Sequence, residues 1–201
     1  MARMLLLTPG VTRRHHGRHG FSLIELMVVV AIVGILAMLA VVGYRRLVLT
    51  AHTSEATAMV QSIRTAQEAY HAETQVYLST SVTPTSNLYP AATPGAFKTG
   101  WGAGITGPCT PPTPSLNCWS ALPIHVDSAV MYGYATTGGT AGNVGFPALP
   151  PIGGSAITLP TAAPTDWYFI GAMGDTDGNG VFTTVIGTSF TNDLFIDKEG
   201  E

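Results

Sequence analysis

The sequence predicts an α+β fold in which one long N-terminal helix, its first half membrane-spanning, packs on a C-terminal antiparallel β-sheet. Three observations predict it. From Phe21 to Val42 all 22 positions are apolar or small except Ser22 and Glu25. Residues 44–79 contain neither Pro nor Gly and repeat apolar residues at helical steps. Beyond residue 128 come short segments rich in aromatic and β-branched residues, with no helix-length pattern between them to serve as parallel crossovers.

The first element is a basic leader, residues 1–20. Arg3, Arg13, Arg14 and Arg18 precede Phe21, whereas everything from residue 21 onward carries five basic residues (Arg45, Arg46, Arg64, Lys98, Lys198) against all twelve acidic ones. A basic leader before an apolar span and an acidic body predicts a cytoplasmic N-terminus and an exported C-terminal portion. The acidic balance also argues against nucleic acid as a partner of that portion. A cleavable secretory signal has an apolar core of about 7–15 residues with a small-residue cleavage site after it. Here the run is longer, and the small residue at the basic boundary, Gly20, comes before it.

The second element, residues 21–43, is long enough at about 1.5 Å per residue to cross a hydrocarbon layer of roughly 30 Å. Within it Glu25 is anomalous. A carboxyl group at such a position costs about 2.5 kcal/mol or more on insertion scales, so it calls for a partner. The alternative is a side chain that snorkels to the headgroups.

The string Gly20-Phe21-Ser22-Leu23-Ile24-Glu25-Leu26 followed by MVVVAIVGILAMLA resembles the type IV prepilin signature over about 25 residues. The resemblance implies leader cleavage after Gly20 by a prepilin peptidase and N-methylation of Phe21. It also implies a partner for Glu25, the positively charged amine of Phe21 on a neighbouring subunit. Such an ammonium would offset desolvation of the carboxylate and set the axial stagger of packed helices. The segment departs from many pilins in lacking a Pro after the apolar run, where Gly34 and Gly43 stand instead. Glycine loosens a helix by roughly 1 kcal/mol and an interior proline by about 3.

In the third element, residues 44–80, Met59, Ile63, Ala66 and Tyr70 form an apolar stripe, with Ala56, Glu73 and Tyr77 near it. The simplest reading is one continuous helix of about 55–60 residues, its outer half offering that stripe to a sheet. This half also resembles pilins, less specifically.

Residues 81–128 follow as a Pro/Thr/Gly-rich loop, either a solvated connection or, as the resemblance implies, a filament-exposed surface. It contains both cysteines, Cys109 and Cys118. An exported location and an even count favour a disulfide, contributing on the order of 2–3 kcal/mol by the loop-entropy model. No further Cys or His lies close enough in sequence to complete a metal site, and neither a C-x-x-C nor a haem-attachment motif is present.

The last region, residues 129–201, should form the sheet. Strands are predicted at 129–136, 166–173 and 193–197, with a short fourth at 182–186, and the Gly/Pro-rich insert 136–155 is predicted to lie outside the sheet as a loop. Within this region Gly174-Asp175-Thr176-Asp177-Gly178-Asn179-Gly180 follows the first half of a calcium loop, with oxygen-bearing Asp175, Asp177 and Asn179 at alternate positions. The bidentate Glu that would close an EF-hand is replaced by Ile186. The same residues equally encode a tight Asp/Gly turn, which is the favoured reading. Ca2+ is therefore the one candidate cofactor.

No enzyme is predicted. His52 and His71 lie 19 residues apart on the helix, too far to share a metal, and His125 stands alone in the loop. Neither a nucleophile elbow nor a phosphate-binding glycine motif occurs.

The reading is a structural subunit of a type IV pilus, a fimbrial protein that enters the inner membrane as a precursor and ends in a surface filament. By resemblance its partners are identical or related pilin subunits, the prepilin peptidase and an inner-membrane assembly platform with its ATPase. Two alternatives stand beside it: a type II secretion pseudopilin, and a membrane-anchored binding module that does not polymerise. Adhesion, motility, DNA uptake and secretion are all tasks that such filaments serve.

Overall fold

The computed structural model describes residues 20–142, 145–153 and 157–199. The basic leader up to residue 19 lies outside the described residues. The chain divides into two compact units, residues 1–42 and 43–201.

In the first unit, helix α1 (Leu23–Thr74, 52 residues) begins. Its residues up to Val42 expose large apolar side chains all round, from Leu23 at 77% to Val28 at 51%. A helix apolar on every side matches lipid or other helices rather than water. α1 is long and apolar enough to cross a membrane.

The second unit holds the rest of α1 and a four-stranded sheet: β1 (Gly133–Gly139), β2 (Trp167–Gly174), β3 (Thr183–Thr188) and β4 (Leu194–Asp197). The strands form an antiparallel meander in the order β1-β2-β3-β4, with Ala135 opposite Gly171, Gly171 opposite Ile186, and Ile186 opposite Phe195. On α1, Thr53, Ala56, Met59, Val60, Ile63, Ala66 and Gln67 are buried, the stripe that helical spacing predicts. The apolar ones, Ala56, Met59, Val60, Ile63 and Ala66, pack in one cluster with Tyr132, Tyr134, Tyr168, Ile170, Ala172 and Val185. Tyr70 packs partly against this core, Glu73 is exposed, and Tyr77 lies beyond the helix.

Side chains alternate across a strand, so Trp167 and Phe169 of β2 face away from the helix. They meet Ala163, Phe146, Leu149, Leu159 and Phe190 in a second small core. The insert predicted as a bare loop therefore supplies Phe146 and Leu149 as a cover for the outer sheet face. Exposing Trp167 and Phe169 to water would forgo roughly 1.5–3 kcal/mol for each side chain of that kind.

Three boundaries differ from the sequence reading by three residues or more. α1 stops at Thr74 rather than near residue 79, because Gln75 adopts φ 60 and its side chain donates to the carbonyls of His71 and Ala72. β1 starts at Gly133 rather than residue 129, since Val130 pairs instead with Thr99 of the long loop and the Met131 amide donates to Glu55. The same strand runs on to Gly139. A Cβ on Gly138 would lie 2.8 Å from Tyr77 Cβ, and one on Gly139 would lie 2.4 Å from the Trp167 ring. These two glycines are close-packing positions within a strand, not turn residues.

Residues 81–128 are anchored at several points. A short 3-10 helix, Leu116–Ala121, starts at Ser115, whose hydroxyl accepts from the Asn117 amide. It buries Cys118 and Trp119, and Trp119 joins Trp101 and Tyr89 in an aromatic group within the main core.

Candidate functional site

The sequence directs attention to Gly20, Phe21 and Glu25, and here the chain is shaped by helix-end chemistry. Ser22 caps α1: its hydroxyl accepts from the Glu25 amide at 3.2 Å. In return Glu25 Oε2 accepts from the Ser22 amide at 3.2 Å and the Ser22 hydroxyl at 3.3 Å. This reciprocal S-x-x-E arrangement is a capping box, which satisfies otherwise open amides of the first turn. The helix dipole also favours a carboxylate in that turn. The spacing of Ser22 and Glu25 is legible in the sequence, yet the reading of Glu25 as a residue needing an external partner passed over it. A carboxylate offers about four lone-pair sites, so Glu25 retains acceptor capacity for a further cation. Gly20 and Phe21 immediately precede the cap, both exposed, with open space around the Gly20 Cα.

Cys109 and Cys118 are joined as a disulfide, with Cα atoms 4.4 Å apart. The bond holds the Pro-rich part of the loop to the 3-10 helix.

The Asp175–Gly180 segment forms the turn between β2 and β3. Asp175 Oδ1 accepts from the amides of Gly178 and Asn179, and Oδ2 accepts from that of Gly180. Asp177 Oδ1 and Oδ2 accept from the Asn179 amide and side chain, and Asn179 Oδ1 accepts from the Val181 amide. Gly178 and Gly180 take positive φ, 76 and 84. All three oxygen-bearing side chains thus accept hydrogen bonds within the turn. Among the described residues no group of three His, Cys, Asp or Glu is placed to hold a metal ion.

The polar anchors of the second unit were not legible in advance. Gln67 is fully buried and ties α1 to Leu78 and Thr136. Arg64 donates to the carbonyls of Thr188, Thr191 and Asn192 around the β3–β4 connection. At the end of α1, His71 stacks on Tyr77 with ring centroids 4.2 Å apart, and its Nε2 lies 3.4 Å from Asp166. Burial and the neighbouring Glu68 push the Tyr77 hydroxyl up to about 12. Burial likewise raises Tyr89, Tyr132, Tyr134 and Tyr168 above the ordinary phenol value.

Comparison with known proteins locates the likeness at the N-terminus. Residues 15–41 match the prokaryotic N-terminal methylation motif. Over 67 residues the chain is 39% identical to the type IV major pilin protein PilA of Myxococcus xanthus (strain DK1622). That match covers 33% of this chain and 30% of the relative, so it spans less than a third of the relative's length. No solved structure matches the chain.

Proposed function

We propose that the chain is a structural subunit of a type IV pilus, with no catalytic role. In this reading the precursor sits in the inner membrane by the first half of α1, and a prepilin peptidase cuts after Gly20. Phe21 is then N-methylated, and an inner-membrane platform with its ATPase moves the subunit from lipid into a filament of like subunits on the cell surface. The observation that carries it is the methylation motif on a helix whose residues up to Val42 are apolar on all sides and exposed. Such a helix needs lipid in one state and neighbouring helices in the other.

Glu25 fits a role in that transfer. In the single chain its carboxylate is engaged by Ser22, and its remaining lone pairs can receive the Phe21 amine of the next subunit. The disulfide suits an exported domain.

Two measurements test the proposal. Intact mass of the protein from its native cells should correspond to residues 21–201 with a methylated N-terminus and one disulfide. A chain that keeps its leader, or is cut after the apolar run, removes the basis for the filament. Glu25→Ala should leave the chain processed and membrane-bound but depress filament yield by an order of magnitude or more. Undiminished filaments would reject the role of Glu25, and loss of a ligand-binding activity without any filament would favour a monomeric anchored module.

A further inference from the structure

Just past the apolar run, α1 and the β2–β3 turn enclose a groove of about 530 Å³, bounded by Tyr44, Arg45, Val48 and His52 on the helix and by Thr176 and Asp177 on the turn. That volume lies within the usual range of small-ligand sites, roughly 300–1,000 Å³. Its walls carry one cation and one anion that do not meet. Among the described residues the ion pairs are His71 with Asp166, Lys98 with Glu55 and His125 with Asp127, so neither Arg45 nor Asp177 is neutralised. Asp177 uses an acceptor site on each oxygen for Asn179 and has others to spare.

We propose that this groove binds the phosphoethanolamine headgroup of a membrane phospholipid. The phosphate accepts from the Arg45 guanidinium, and the primary ammonium donates to the Asp177 carboxylate. Tyr44 and Val48 face the less polar part of the lipid. Arg45 follows Val42 by three residues, roughly 4.5 Å of helix, and the interfacial layer is roughly 5–8 Å deep on each side. A zwitterion fits better than an anion because the groove is itself zwitterionic. The inference rests on the membrane-anchored part of the proposed function and not on polymerisation.

The test is native mass spectrometry of the full chain released from detergent micelles, with phosphatidylethanolamine, phosphatidylcholine and phosphatidylglycerol supplied at equal concentration. The wild type should retain one phosphatidylethanolamine roughly tenfold more than either competitor, since only that headgroup has ammonium N–H donors for Asp177. Asp177→Asn should abolish the preference over phosphatidylcholine, and Arg45→Gln should lower retention of all three. If Asp177→Asn disturbs the turn, seen as a lowered melting temperature, Arg45→Gln decides alone. Equal retention of the three lipids by the wild type overturns the proposal. So does displacement by soluble phosphoethanolamine at the lipid's own concentration, which would assign the site to a free metabolite. A dimer lost in Arg45→Gln with lipid retention unchanged would assign the groove to a second copy and also overturn it. Recovery of the chain from the soluble fraction without detergent would defeat membrane anchoring itself, an outcome distinct from a membrane-bound chain with no headgroup preference.

Discussion

Replacing Gln67 by Met keeps the length of the side chain and removes its polar end. In the native chain Gln67 is fully buried; its Nε2 donates to the Leu78 carbonyl at 2.7 Å and to Thr136 Oγ1 at 2.8 Å, and its Oε1 accepts from the Leu78 amide at 3.0 Å. Leu78 is itself only 2% exposed, so water cannot replace the lost partners. Each orphaned buried backbone group costs about 1–3 kcal/mol, and two are created. The methionine recovers about 1 kcal/mol or so of apolar burial. The net loss is therefore about 1–5 kcal/mol, and at about 2–4 °C per kcal/mol for a chain of this size the melting temperature should fall by about 2–20 °C. Near-UV circular dichroism of the full chain in detergent, reporting on Trp101, Trp119 and Trp167, measures the transition. Hydrogen exchange at the Leu78 amide reads the site directly and should speed up in the variant. A melting temperature within 2 °C or so of wild type, with Leu78 still protected, would refute the role assigned to Gln67.

Gly171→Ala should be more damaging than an ordinary strand substitution, because a Cβ there would lie 1.8 Å from the Pro84 carbonyl oxygen. We expect the 81–86 segment to lift from the sheet and become a site of limited proteolysis, whereas Gly100→Ala, with open space around it, should change nothing. Stability should be level from pH 7 to 9 and fall above about pH 10. The sign follows from the tyrosines, whose folded pKa values are raised above the unfolded one, so their contribution is complete below the unfolded value and is lost as pH rises through the folded values. Tyr77, pushed up to about 12, marks the upper part of that window, and an alkaline melt with no decline by pH 12 would contradict it. Calcium should shift the melting temperature by less than about 1 °C relative to chelator, since among the described residues no group of three His, Cys, Asp or Glu is placed to hold the ion. A shift of several degrees at millimolar calcium would show that the Asp175, Asp177 and Asn179 oxygens reorganise around the ion.

Features that depend on neighbours in sequence were the legible ones. The apolar run, the stripe Met59, Ile63 and Ala66, and the turn at Asp175–Gly180 all follow from local spacing, and each occurs where spacing puts it. The Ser22–Glu25 box was equally local and was obscured only because a carboxylate in an apolar run draws attention to distant partners. What was not legible depends on segments far apart in the chain. Gln67 is one polar residue on a mostly apolar stripe, and nothing nearby announces that residue 78 will present its backbone there. Val130 looked like the start of a strand because its composition suits one, but Thr99, some thirty residues earlier, takes its hydrogen bonds. Gly138 and Gly139 read as loop residues because glycine ordinarily ends strands, and the reason they do not lies in the close approach of the Tyr77 Cβ and backbone to one and of the Trp167 ring to the other.

The second small core, built from Phe146, Leu149, Leu159, Trp167, Phe169 and Phe190, divides the molecule's obligations. The helix-facing side of the sheet answers to α1, and the opposite side answers to the stretch between β1 and β2 together with Phe190. Mutations in clusters that share no partners combine nearly additively. The stretch between β1 and β2 can therefore drift, lengthen or be exchanged as long as a few large apolar residues still reach Trp167 and Phe169. The helix and the three tyrosines beneath it would register none of that change. A lineage could restyle what the domain presents to its surroundings while the part that α1 requires stays as it is.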